Sequence, residues 1–186
     1  NLNFLFQKID GIDKILVSEN SIPTIDYYVP LMSLPFIFRQ NLNVPDAFNF
    51  IVLDKKIDKY WKEKLNNNKT KIGIVWQGAP DHNRSDFKRS IPLSLLKPIL
   101  EIKEIEFVSL QKDFGREQIK SNNFENLITD YYNKIDKKPF EDTVSIINSL
   151  DMVICVCTSI AHISATMKKN TWIIIPYVPD FRWGLK

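Results

Sequence analysis

Leu150–Lys169 reads LDMVICVCTSIAHISATMKK. An apolar run, Met152–Val156, stops at Thr158-Ser159, and from there Ile160, Ile163 and Met167 recur at helical spacing. The stretch predicts a strand that feeds the N-terminus of a helix, Ser159–Met167, with two hydroxyls and an imidazole, His162, at the junction. The free N–H groups and the positive end of the helix dipole make such a junction an anion site, above all for phosphate.

Working outward, the chain alternates strand and helix signals from about Lys69 onward. Lys71–Trp76 (KIGIVW) is β-rich and gives way to a polar loop, Gln77–Arg89. Pro92 suits the first turn of a helix reaching Leu100. Ile105–Leu110 reads as a second strand, Gly115–Ser121 as a weak helix and Asn126–Thr129 as a short third strand. Phe140–Ser149 carries Val144 and Ile147 at helical spacing, with Glu141 and Asp142 in its first turn, where acids suit the dipole. Trp172–Ile175 is a last strand, ended by Pro176. Five short apolar strands separated by helices predict a doubly wound parallel sheet covered on both faces, an α/β fold.

The first 68 residues differ. Lys14–Val17 reads as a strand, with Gly11 as the C-cap of a helix before it. Prolines at 23, 30, 35 and 45 then break any long element, and Tyr60, Trp61 and Leu65 suggest an amphipathic helix at about 55–66. Two regions follow: 1–68, the remnant of a preceding α/β domain with a crossover, and 69–186, a Rossmann-like domain truncated at its end. The start lacks an initiator Met and a signal-peptide pattern, so the chain reads as the middle of a longer one.

Composition narrows the function. A net charge of +3 without one long basic block argues against nucleic acid, and no apolar run of ~18 residues or more marks a membrane span. Cys155 and Cys157 lie two apart on a strand, their Cα atoms roughly 6.5–7 Å from each other, too far for an easy disulfide. Two Cys and two distant His make no zinc spacing, so no metal is expected. Reduced thiols suit a cytoplasmic protein. GxGxxG, GxxxxGK[ST] and G-x-S-x-G motifs do not occur.

In an open parallel sheet, ligands bind beyond the carboxyl ends of the strands. Four loops leave such ends and carry polar residues: Gln77 with the basic cluster 82–89, which includes Lys88 and Arg89; Gln111-Lys112; Thr158-Ser159 with His162; and Tyr177–Trp183, which includes Asp180 and Arg182. Each has a plain alternative. Thr158 or Ser159 is otherwise an N-cap, His162 a donor to a backbone carbonyl, and Lys88 and Arg89 a solvated face. Gln111-Lys112 is otherwise a loop exit, and Asp180, Arg182 and Trp183 a surface salt bridge on an indole.

KIGIVWQGAPDHNRSDFKRSIPL, FVSLQKDFG, LDMVICVCTSIAHISA and WIIIPYVPDFRWGL, in that order, resemble the C-terminal domain of glycosyltransferase family 9, the heptosyltransferase-like group. The likeness extends to bacterial tetratricopeptide-repeat proteins carrying such a domain, to the PLMSLP segment Pro30–Pro35, and over about residues 27–184. The resemblance implies a GT-B fold and a nucleoside diphosphate sugar as donor substrate, with no cofactor or metal. The acceptor is an unknown glycan, lipid or protein hydroxyl, and an upstream repeat domain is an expected neighbour. Carried over, Thr158, Ser159, His162 and Arg89 hold the diphosphate, His162 and Arg89 stabilising the leaving group. Gln77, Gln111 and Lys112 line the nucleotide pocket, and Asp180 and Trp183 lie on the same rim. Cys157 stands where the family pattern V-D-T-x-x-x-H has aspartate, and the domain expected to hold the acceptor and base is largely outside this chain. A degenerate, non-catalytic scaffold in a repeat protein is the second reading. A different GT-B enzyme, an epimerase or a protein O-glycosyltransferase, is the third.

Overall fold

The computed structural model describes residues 3–6, 9–16, 22–39, 50–80, 89–135, 140–179 and 183. Five strands form its centre: β1 Thr70–Val75, β2 Ile105–Ser109, β3 Ile128–Thr129, β4 Met152–Val156 and β5 Asn170–Ile174. All pair in parallel in the order β3-β2-β1-β4-β5. The helices are α1 Asn3–Phe6, α2 Leu34–Ile37, α3 Lys55–Lys64, α4 Lys97–Leu100, α5 Glu117–Ser121, α6 Glu141–Asn148 and α7 Ser159–Thr166.

This order follows from two successions running in opposite directions from β1. β2 and β3 add to one side; after α6 the chain returns and adds β4 and β5 to the other. With right-handed crossovers, the helices of the two successions fall on opposite faces. Accordingly, one core cluster holds Ile72, Ile74, Trp76 and Phe107 with Leu93, Leu96, Leu100 and Ile119. The other holds Val75, Val108, Val153 and Cys155 with Val144, Ile147, Ile160 and Ile163. Gly73 belongs to the crowded second face: a Cβ there would lie 2.6 Å from Leu150 Cδ1 and 2.7 Å from Leu110 Cδ1.

The helix over 55–64 is better anchored than its composition suggests. Asp54 caps it, accepting from Lys56 N at 2.8 Å and Ile57 N at 3.1 Å. Trp61 is fully buried, and its Nε1–H donates to Asp142 Oδ1 at 2.7 Å, so α3 packs on α6. Burying such a ring stabilises the fold by about 1.5–3 kcal/mol. Leu5 and Ile51 join the same core.

Several elements depart from the sequence reading. Lys14–Leu16 is irregular, not a strand, although Gly11 does hold a positive φ of 87°. The helix expected from Pro92 splits into a 3-10 turn, Leu93–Leu96, and α4, because Pro98 has no N–H to continue a ladder. β3 shortens to two residues, and β5 begins at Asn170 rather than Trp172. Among the described residues, no helix is long and apolar enough to cross a membrane.

Candidate functional site

The switch point of the sheet lies between β1 and β4, where the two successions diverge. The loops after β1 and β4 leave the carboxyl ends there, with the loop after β2 beside them. A cleft of about 270 Å³ opens between them, walled by Gln77, Gly78 and Ala79, by Gln111, Lys112 and Phe114, and by Thr158 and Ser159. This is where an open α/β sheet takes its ligand.

The anion-binding side is built from the β4–α7 junction. Thr158, in extended conformation, is the N-cap of α7, yet its side chain makes no cap bond and its Oγ1 is buried without a hydrogen-bond partner. The first N–H groups of α7 are therefore not capped by this hydroxyl, and the positive end of the dipole lies with them. Arg89 reaches this junction from the β1 loop: its guanidinium donates to Cys157 O and to Ala79 O, each at 3.4 Å. Gly78 is the floor under that guanidinium, since a Cβ there would sit 2.7 Å from Arg89 Nε.

The opposite wall is scaffolding as much as contact surface. Gln111 is buried, and its Oε1 accepts from Trp76 N at 3.1 Å and Gln77 N at 3.0 Å. Its Nε2 donates to Gln77 O at 2.8 Å and Phe114 O at 2.7 Å. An amide has two donors and two acceptor sites, so all four are spent on main chain. Gln77 in turn accepts from Gln118 Nε2 at 2.8 Å, and the positive φ of Gly115 brings that backbone against it. Lys112 is the cation of this wall. Its Nζ lies 4.5 Å from the centroid of Phe140, itself at a left-handed φ of 63°. Burial lowers the Lys112 pKa, opposed by the nearby carboxylates of Asp142 and Asp113.

Next to it, Asp113 is held by a relay. Tyr132 Oη donates to Asp113 Oδ1 at 2.9 Å, Arg116 lies 3.6 Å over the Tyr132 ring, and Arg116 pairs with Asp130 at 2.6 Å. The bond to Asp113 is also the main reason the Tyr132 pKa is raised.

The structure thus brings together Gln77, Arg89, Gln111, Lys112, Thr158 and Ser159. His162 projects from the first turn of α7, exposed, with its ring stacked on Trp183 at 4.7 Å and 18°. Trp183 also donates from Nε1 to Cys157 Sγ at 3.0 Å. Asp180, Arg182 and Lys88 lie outside the described residues. Sequence reasoning missed Phe114, Phe140 and the Tyr132 relay; the aromatic at the exit of each loop was the only signal for them. Among the described residues, no three His, Cys, Asp or Glu side chains converge as metal ligands would.

No family model and no curated protein matches the chain. Among solved structures it is similar to E. coli ADP-heptose lps heptosyltransferase II, with a TM-score of 0.52 and 14% identity over 76% of this chain. It is also similar to E. coli heptosyltransferase WaaC with ADP-2-deoxy-2-fluoro heptose, with a TM-score of 0.48 and 12% identity over 67% of this chain. The chain spans 43% of the length of the former and 38% of the latter. The likeness to the first is one of fold: this chain carries a GT-B-type, Rossmann-like parallel sheet.

Proposed function

We propose that this chain is the donor-binding half of a family 9-like glycosyltransferase, which transfers a sugar from a nucleoside diphosphate sugar to an acceptor hydroxyl. The carrying observation is the β4–α7 junction, where an α7 N-terminus without a side-chain cap borders the cleft and the Arg89 guanidinium reaches the carbonyl of Cys157 just before it. Fixed N–H dipoles and a guanidinium are what a diphosphate needs, and they cost no reorganisation when negative charge develops on it.

In the reaction, the acceptor oxygen bonds to the anomeric carbon as the bond from that carbon to the β-phosphate oxygen breaks. The electron pair leaves with the nucleoside diphosphate, whose charge Arg89, His162 and the α7 N–H groups stabilise. The acceptor's proton passes to a base on the facing domain, of which residues 1–68 are proposed as a remnant with the crossover. Ser159 offers its hydroxyl to the phosphates beside Thr158 at the N-cap, and Lys112 and Gln77 border the nucleoside. Asp180 belongs to the same proposed rim. The reaction as proposed takes no cofactor or metal, and the chain belongs in a cytoplasmic bacterial protein with an upstream tetratricopeptide-repeat domain and a glycan, lipid or protein acceptor.

Calorimetry of the full-length protein with ADP, UDP and GDP tests this reading. At least one should bind, and Arg89→Ala or His162→Ala should weaken it about tenfold or more, since a charge-assisted hydrogen bond is worth about 1.5–3 kcal/mol. The second reading, a scaffold that has lost catalysis, is favoured by one contact: the Cys157 thiol at the mouth of β4 is occupied by Trp183. Absence of binding by all three diphosphates would support that reading instead.

A further inference from the structure

We infer that Trp183 is a positioning residue for His162. Two contacts made by one indole carry this. Its Nε1–H donates to Cys157 Sγ at 3.0 Å, just before the N-cap of α7, and its face stacks on the His162 imidazole at 4.7 Å and 18°. The edge contact fixes where the ring sits and how it is turned; the face contact transfers that orientation to the imidazole. A thiol is a weak acceptor, so the first contact orients more than it stabilises.

The consequence is local and directional. An exposed side chain on the first turn of a helix samples several staggered rotamers. The indole leaves His162 those in which its plane lies parallel to a ring anchored on the β4 exit. The imidazole N–H groups then point along one plane beside the α7 N-terminus. Trp183 is half-buried and also packs against the core cluster below the junction, which holds the platform still. Trp183 thereby acts on the diphosphate side through His162 and Cys157, and needs no contact with the ligand itself.

The inference rests on the proposed diphosphate contact of His162, and the test separates the two. In the full-length protein, the His162 ring resonances are assigned as those lost in His162→Gln. A stacked indole shifts them upfield; Trp183→Ala should return them downfield, while Trp183→Phe, which retains a stacking ring but loses the N–H contact to Cys157 and guards against misfolding, should keep part of the shift. ADP affinity should fall about threefold to tenfold in Trp183→Ala, the scale of an aromatic stack, with no further fall when the change is made in a His162→Gln background. Unmoved His162 resonances in Trp183→Ala, or losses at the two positions that simply multiply, would overturn the inference. If the wild type binds no diphosphate, the proposed function fails and the ring-current comparison still decides the placement of His162.

Discussion

The side-chain amide of Gln111 pairs with the main chain of Gln77 on both edges, accepting from its N–H at 3.0 Å and donating to its carbonyl at 2.8 Å. The pair extends β1 by one more rung, made by a side chain rather than by a strand. It holds the β1 loop at the cleft even though β2 has already turned away.

Gln111→Leu should therefore act on stability first. It strands two buried or half-buried N–H groups and two carbonyls, at about 1–3 kcal/mol for each buried group left unmet. Urea unfolding should show a total loss of about 2–4 kcal/mol. An unchanged midpoint would mean that the four bonds are replaced by water.

Gly78→Ala should weaken diphosphate binding without unfolding the protein. The added Cβ falls 2.7 Å from Arg89 Nε and 2.9 Å from its Cζ, and the guanidinium is the movable partner. Affinity for ADP, measured by calorimetry, should fall about tenfold, as if a charge-assisted contact were lost.

Lys112 sets a pH dependence with a defined sign. Because burial lowers its pKa, the folded state binds fewer protons than the unfolded state between the lowered value and the ordinary lysine value. Stability from this group consequently rises with pH across that window. Anion binding does the reverse: affinity for ADP should fall as the ammonium is lost, at a pH below the ordinary lysine range. Lys112→Met should flatten both profiles, and a wild-type affinity profile without this fall would exclude Lys112 from the anion's surroundings.

Cys155 should resist alkylation. It is fully buried on β4, and burial, with Cys157 beside it, pushes its thiol up to about 12. The thiolate is the reactive form, so iodoacetamide at pH 8 should label Cys155 only after denaturation. Mass spectrometry of the intact and unfolded protein reads this directly.

Trp61→Phe should cost about 1.5–3 kcal/mol by removing one donor from the buried Asp142 carboxylate while leaving most of the apolar packing. Thermal unfolding would register it. A change within error would show that other donors to Asp142 suffice.

The junction at 150–169 was legible because its physics is local. An apolar run ends where hydroxyls begin, and β4 and α7 start at Met152 and Ser159, the residues at which the pattern changes. Parallel order was legible for the same reason, since strands buried on both faces read as continuous apolar runs. What the sequence hid depends on distant partners. Nothing around Gln111 says that its amide is spent on Gln77, 34 residues away. Trp61 looks like one more residue of an amphipathic face until Asp142 is placed against it. Lys14–Leu16 has β propensity, yet among the described residues it pairs with no strand, and propensity alone does not make a sheet.

The placement of β1 between β2 and β4 has a consequence for how this chain acquires its site. Lys71 N is bonded to the Asp151 carboxylate across 80 residues, and Ile72 lies opposite Met152. The scaffolded wall, Gln77 with Gln111, can form once β2 has docked on β1. The β4–α7 side needs β4, whose pairing with β1 closes a longer loop. In a chain emerging from synthesis, the Gln77–Gln111 wall has its partners as soon as β2 is made, whereas the β4–α7 junction needs about 40 further residues of chain.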